Sequence, residues 1–490
     1  MWRGDFVHCP SLGQLGILRD HVLEVDKKGF MVYIGPASSP EAETRLNSRA
    51  SVNRIPPGTF LLPTFYDLHL HAPQFLYQGT GLHLSLMEWL NAYAFKAEER
   101  IDSSPILARR VYTRLARRLV EHGTGAVLLF GTIREDTNLI LAECMKDAGI
   151  RAFVGKLSMD KNSRPTYVEM SAERALSAAA SFVDKCRSLE SAMDPHERLI
   201  EPVLTPRFVP TCSEELLVGL GRLSEERGLR VQSHMAEALD QVEWVRQERG
   251  LEDIDVFEQS GLLTSRTVQA HCTFLDPPSF LRLAQKGTAI AHCPLSNAYF
   301  SAAPFRLREA LNSGVKVGLG TDIAGGYDID IMSAMRHAVT VSRIREGSRH
   351  LECAASGARP NEHKSLSIDW KESLYLATAG GADALGLRAG TGQFIVGAPF
   401  DAQCIKVVDE ETGRGIGSLD FLDNESAGTS AWSLSEEIVE KWWCLGDSGI
   451  ASISDQYTPC SIHSRHCHLS RLSFQLLPAG EPYNSGQVSP

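Results

Sequence analysis

At 490 residues the chain exceeds what one hydrophobic core usually spans, so a large domain with a smaller companion is the natural expectation. Its hydrophobic share of 43% and charged share of 22% are those of a soluble globular protein. A net charge of -11 leaves no basic surface to grip phosphates, which excludes nucleic acid as the expected partner. No segment reaches the roughly eighteen apolar residues of a membrane span, and MWRGDFVHCP lacks a basic start followed by an apolar run. Neither a membrane partner nor secretion is therefore expected, and the expected location is cytoplasmic. The eleven cysteines, an odd number without paired short spacings, read as reduced thiols and agree with that compartment.

Residues 1–58 read as short strands broken by turns, such as GQLGILRDHVLEV and FMVYIG, and form the N-terminal part of a small β domain. From Phe60 onward brief apolar runs alternate with long amphipathic stretches, the pattern of parallel βα units. The eight runs are GTFLLPTFYDLHLH, GAVLLFGT, RAFVGKLS, EPVLTPRF, LRVQSHM, TVQAHC, TAIAHCP and VKVGLGTD. Eight such units over residues 59–376 predict a closed TIM (β/α)8 barrel. After it, residues 377–448 carry turn glycines and apolar strands that can pair with the first segment, giving one small β-sandwich domain formed from both chain ends. Residues 449–490 are rich in Ser, Pro and polar side chains and are expected to be irregular.

The chemistry gathers at the ends of the predicted strands. In a strand, side chains at i and i+2 point to one side, so His69 and His71 in DLHLHAPQF can offer two imidazoles to one ion. Alone, two packed or surface histidines explain the pair equally well. His234 in VQSHMAE, His271 in VQAHC and Asp322 in GLGTD stand at the C-terminal ends of three other strands, which is the catalytic face of such a barrel. His69, His71, His234 and Asp322 make a nitrogen and oxygen set suited to one Zn2+ per chain, with Fe2+ as the other metal the donors accept. A divalent cation there acidifies its water toward neutral pH, so hydrolysis is the leading reaction type. Glu237, three residues after His234, is placed to pass protons as general acid and base.

The series DLHLHAPQF, SHMAE, AHC and GTD resembles the amidohydrolase superfamily in its mononuclear branch of purine and pyrimidine deaminases. Within that branch, RDHVLEV, LMEWLNAYAFKAEER, RAFVGKLSMD, LTPRF, AHCPLSN, GLGTDIAGGY and FDA run in the order of the guanine deaminase family, from near the start to about Asp447. The resemblance implies a metal on His69, His71, His234 and Asp322. It implies catalytic roles for Glu237, Asp322 and His271, with His271 steadying the water or the tetrahedral centre. It places the purine against Gln74, Arg207 and Phe208, within a substrate pocket that also includes His71, His234, Glu237 and Asp322. An arginine fork suits the O6 and N7 acceptors of guanine, a glutamine amide can pair with its polar edge, and phenylalanine can stack on the ring. The implied reaction is hydrolysis of guanine to xanthine and ammonia in purine catabolism or salvage, by a homodimer. The alternatives are another nitrogen heterocycle as substrate or, from a different class, a non-catalytic assembly protein that would be marked by lost metal ligands.

Several features take plainer readings. LMEWLNAYAF around Trp89 is expected to be a helix packing over the pocket mouth, His292 to lie outside the metal shell, and Cys293 to be a buried thiol. Thr64 stands where the superfamily usually has glycine. After EKWWCLGD the family's closing strand and its GK or GR turn are replaced by the polar tail. CSIHSRHCH, Cys460 to His468, is too crowded for a usual zinc finger and is not expected to bind metal.

Overall fold

The computed structural model describes residues 1–48, 51–356, 365–422 and 432–446. Its strands sort into two sheets. The chain begins with β1 (Trp2–His8), β2 (Gly16–Val25), β3 (Met31–Pro36), β4 (Asn53–Arg54) and β5 (Thr59–Pro63). Eight strands follow: β6 (Phe65–His71), β7 (Thr124–Phe130), β8 (Arg151–Ser158), β9 (Ile200–Pro206), β10 (Arg230–Met235), β11 (Thr267–His271), β12 (Ala289–His292) and β13 (Val317–Leu319). The last is β14 (Ala402–Lys406).

Strands β6 to β13 pair in sequence order, each parallel to the next, with helices between them. Each of the eight apolar runs read from the sequence coincides with one of these strands, two of the runs starting one residue late. The ring is completed just beyond β13, where the His71 N–H donates to Ile323 O at 2.9 Å and the Asp322 N–H donates to His69 O at 2.8 Å. Inside the barrel, Tyr66, Leu68 and Phe153 pack with the small side chains Ala126, Ala270, Ala289 and Ala291, and with Ala382, Ala384 and Leu385 from below. This mixture of large and small residues fills the interior, leaving the strand ends as the place for chemistry.

The outer helices follow from their sequence pattern. Pro105–Glu121 begins at Ser104, whose hydroxyl accepts from the Leu107 N–H at 3.3 Å, with proline at the first turn. It buries Leu107, Ala108, Val111, Tyr112, Leu115 and Leu119, a helical stripe packed in one cluster with Val127 and Leu129 of β7. Among the described residues, no helix is long and apolar enough to cross a membrane.

The second sheet has the order β14-β5-β1-β2-β3, with β4 on β1, so both chain ends contribute to it. Three boundaries differ from the sequence reading. GTFLLPTFYDLHLH is two strands: Thr59–Pro63 pairs antiparallel with Ala402–Lys406 in the six-stranded sheet, and the barrel strand starts at Phe65. Continuous apolar sequence hides this change of sheet, although Pro63, which has no N–H to give, stands at the corner. Helix Ala379–Ala384, expected within the small β domain, lies against the barrel interior. Pro40–Asn47, expected to be strand and turn, is a helix capped by Ser39 with Pro40, Glu41 and Glu43 in its first turn. Thr64 is accommodated by its neighbour strand, since a Cβ on Gly125 would lie 2.2 Å from the Thr64 Oγ1. Residues 449–490, and with them Cys460–His468, lie outside the described residues.

Gly381 sets the approach of the inner helix to the barrel. A Cβ there would meet Tyr66 Cβ at 2.8 Å and Leu376 O at 3.1 Å. Gly381→Val is expected to cost about 1–3 kcal/mol through overpacking, read as a lower Tm by calorimetry. An unchanged Tm would show that this contact relaxes freely.

Candidate active site

The site begins with an irregularity in β6. Asp67 pairs with Val127 and Leu70 with Leu129, so β6 carries one more residue than β7 between those rungs. This bulge switches the strand's phase. Tyr66 and Leu68 face the barrel interior, Leu70 turns out toward the helices, and His69 and His71 face the site. Asp67 anchors the bulge from beneath. Its Oδ1 accepts from the N–H groups of His69 and Thr321, both at 3.1 Å, and its Oδ2 accepts from the Thr321 hydroxyl at 2.5 Å. Burial pushes the Asp67 carboxyl up to about 6, and these hydrogen bonds oppose the rise.

The other contributors also leave their strands sharply. Ala236, His271, Cys272 and Asp322 have φ of 46°, 69°, 53° and 51°, left-handed values that non-glycine residues seldom adopt. The Ala236 N–H is held by Asp253 Oδ2 at 2.9 Å, and the next N–H, that of Glu237, by Gln241 Oε1 at 3.1 Å. The Ser301 hydroxyl donates to Glu237 O at 2.5 Å. Glu237 therefore stands on a backbone fixed from three sides.

Three imidazoles and a carboxylate converge above the bulge. His69, His71 and His234 each offer a nitrogen, all within 4.8 Å of one another. His71 Nε2 and His234 Nε2 are 2.9 Å apart, while Asp322 Oδ1 is 3.1 Å from His69 Nε2 and 3.6 Å from His71 Nε2. Four ligands set tetrahedrally at zinc distances of about 2.0–2.1 Å would stand roughly 3.3 Å apart, so the observed separations fit. His234 Nδ1 lies 2.6 Å from Arg207 O, which only accepts, so the proton is on Nδ1 and Nε2 presents its lone pair. His69 Nε2 is buried and, although close to Asp322 Oδ1, makes no well-aligned hydrogen bond, as suits a nitrogen that holds an ion. Burial holds His71 and His234 well below the usual imidazole range, the neutral state that metal ligation needs.

The two carboxyl groups are pushed apart. Burial first, then the Asp322 charge, holds Glu237 well above the usual carboxyl range. Burial also pushes Asp322 upward, but His69, His271 and Ser296 outweigh it and leave its carboxyl below that range. One group is thus set to carry a proton and the other to remain ionised. His271 Nε2 lies 3.6 Å from Glu237 Oε1 and 3.8 Å from Asp322 Oδ2. Its Nδ1 is 2.9 Å from Asn297 Oδ1, and burial lowers it to about 4, leaving a neutral ring.

A cavity opens over this cluster. The structure brings His71, Gln74, Arg207, Phe208, His234, Glu237 and Asp322, all singled out from the sequence, to its wall. His69 and His271 are buried beside them. Leu86, Trp89, Leu90 and Phe300 form an apolar side, and the Trp89 ring packs 5.0 Å from Phe300, centroid to centroid. The Trp89 segment thus packs at the cavity, as read from the sequence. His292 is buried with its ring 4.9 Å from Phe305, and burial pushes the Cys293 thiol well up.

Four contributors escaped the sequence reading: Asp67, Asn297, Phe300 and Glu98. Glu98 was legible in principle, because it falls on the buried face of helix Phe95–Asp102 among Phe95, Ala97 and Ile101. A carboxylate inside an apolar stripe signals a buried partner. Phe300 and Asn297 carry no such mark.

The sequence profile of the Amidohydrolase family matches residues 60–431, and the chain belongs to that family. Among its relatives, the guanine deaminase of Mus musculus is 34% identical over 452 residues, covering 91% of this chain and 93% of that protein. The guanine deaminase of Escherichia coli (strain K12) is 32% identical over 372 residues, covering 75% of this chain and 77% of its own. The crystal structure of guanine deaminase from C. acetobutylicum with bound guanine superposes with a TM-score of 0.76 at 27% identity, over 91% of this chain and 96% of that one.

The three hydrogen bonds accepted by Asp67 predict a structural dependence. Asp67→Asn turns one acceptor into a donor facing the Thr321 N–H or hydroxyl. It is expected to cost about 1–3 kcal/mol, seen as a lower Tm. A variant as stable as the parent would remove Asp67 from this account.

Proposed function

We propose that the chain is a zinc-dependent aminohydrolase that converts guanine and water to xanthine and ammonia. The observation that carries this reading is one cavity in which the imidazole and carboxylate cluster faces Gln74, Arg207 and Phe208. The guanine deaminases of two kingdoms at 34% and 32% identity support it.

His69, His71, His234 and Asp322 would hold one zinc ion per chain, and ferrous iron suits the same donors. When bound, the ion supplies an acidified water at neutral pH. Arg207 donates to the purine's O6 and N7 acceptors, Gln74 meets the same polar edge, and Phe208 lies against the ring. Asp322, kept ionised, takes a proton from the water that attacks C2. Glu237, kept protonated, delivers its proton to ring N3, so charge does not build up on the purine as C2 becomes tetrahedral. His271 faces the same centre with a neutral nitrogen. Glu237 then passes the proton held by Asp322 to the leaving amine, and as ammonia departs the C2 hydroxyl gives its remaining proton back to Glu237, leaving the C2 carbonyl of xanthine. Trp89, Leu90 and Phe300 exclude bulk water from this side of the cavity. The reading extends to a cytoplasmic homodimer in purine catabolism and salvage.

The test is ammonia release from guanine, adenine, cytosine and 8-oxoguanine by purified protein whose metal has been counted. Guanine-selective turnover with about one zinc per chain is expected. A full metal site without guanine turnover would overturn the substrate. Glu237→Gln is expected to keep its metal and lose roughly 100- to 10,000-fold in kcat. Full turnover in that variant would reassign the proton transfers to another group.

A further inference from the structure

Behind the purine-facing side chains lies a carboxylate that touches neither the metal cluster nor the cavity. Glu98 is fully buried on helix Phe95–Asp102. Its Oε1 accepts from Gln74 Nε2 at 3.0 Å, and its Oε2 accepts from Arg207 Nη1 at 2.5 Å. The Arg207 guanidinium is also stacked over Phe95, 4.9 Å from the ring centroid.

The chemistry of these contacts fixes more than position. A carboxylate only accepts, so Gln74 has to turn its NH2 toward Glu98. At the other end of the amide, Gln74 Oε1 accepts from the Ala324 N–H at 3.2 Å, and a backbone N–H only donates. The two contacts allow one orientation of the amide and forbid its flip. Gln74 therefore offers its second N–H as the group free to donate, next to an arginine that is donor-only. The guanidinium is always charged, and the opposite charge of Glu98 allows it to be buried here rather than turned to solvent.

We propose that Glu98 is the positioning residue that sets this wall of the cavity to donor polarity and thereby selects a purine carrying an acceptor at C6. The assignment rests on the proposed deamination and extends it to the origin of substrate choice. Guanine presents O6 and N7 to the donors. A purine with an amino group at C6 brings donor against donor, and 2-aminopurine, which keeps the reacting C2 amine but has only hydrogen at C6, leaves a donor unsatisfied. A site built around a substrate's polar group discriminates strongly against analogues that lack it.

The experiment compares guanine with 2-aminopurine on the metal-loaded protein and its Glu98→Gln variant, with zinc content and Tm measured for both. The isosteric amide removes the charge opposite Arg207 and lets both amides flip. The expected result is a guanine kcat/KM lowered roughly 10- to 100-fold, carried mainly by KM, with 2-aminopurine changed much less and zinc retained. The preference for guanine then collapses through guanine alone, which a general loosening of the site would not produce. Glu98→Asp keeps the charge but shortens the reach. It is expected to move the same ratio in the same direction by a smaller factor, and it carries the test if the amide variant does not fold. A guanine preference unchanged in a folded variant, or equal losses on both substrates, would overturn the role of Glu98 while leaving the deaminase reading intact. Absence of guanine turnover in the parent protein would overturn both.

Discussion

The barrel closes and the site assembles through the same few atoms. Between β6 and the segment after β13 the chain is joined by the His71 N–H to Ile323 O and the Asp322 N–H to His69 O. Asp67 crosses beneath that seam to the Thr321 N–H and hydroxyl. Two imidazoles come from one side of the seam and the carboxylate from the other, so their spacing is fixed by backbone hydrogen bonds instead of by flexible side chains. Residues held in this way keep their geometry with or without an ion, which is the preorganisation that metal sites and polar transition states require.

Electrostatics in the cavity follow from burial with selective compensation. His71, His234 and His271 are buried and held neutral, and the Glu237 carboxyl is held protonated. Among the described residues of the wall, two groups are stabilised as ions: Asp322 among the imidazoles, and Arg207 against Glu98. The low dielectric that makes unpaired charge costly also makes each remaining hydrogen bond count for more. The two ions serve different ends, since Asp322 stands among the metal-binding nitrogens and Arg207 on the purine-facing wall.

The sequence carried much of this because the barrel repeats one pattern. Eight apolar runs separated by amphipathic stretches give the strands, and polar residues at the ends of such runs can point only into the site or into solvent. What it hid was whatever depends on a single residue's phase. The alternation rule puts His69 and His71 on one face, but the bulge between Asp67 and Leu70 decides which face. Nothing in DLHLH announces that extra residue. The break at Pro63 was obscured in the same way, because both strands it separates are fully buried and so read as one apolar run. Glu98 stays hidden for the opposite reason: its helix reads by its aromatic residues, and a carboxylate on the buried face, one of two with Asp102, belongs to no metal or catalytic motif.

The small sheet shares in the site without touching it. β5 runs through Pro63 and Thr64 directly into β6, so the line on which β5 lies sets how the imidazole-bearing strand enters the barrel. β14 flanks β5 from the far end of the chain, with Gln403 Nε2 bonded to Pro63 O at 3.1 Å. Helix Glu436–Leu445 adds the Trp442 ring edge-on to Phe60 of β5, with centroids 5.7 Å apart. Among the described residues, the cavity itself is lined by side chains between His71 and Gly325. Among the described residues, a change in β14 or in helix Glu436–Leu445 therefore falls on the sheet that supports β6 and not on the chemistry. A change at that end reaches the site through the β5–β6 corner and through Arg336 of barrel helix Ile331–Ser356, which donates to Trp443 O at 2.9 Å, and would show as altered stability or metal retention before any change in substrate choice.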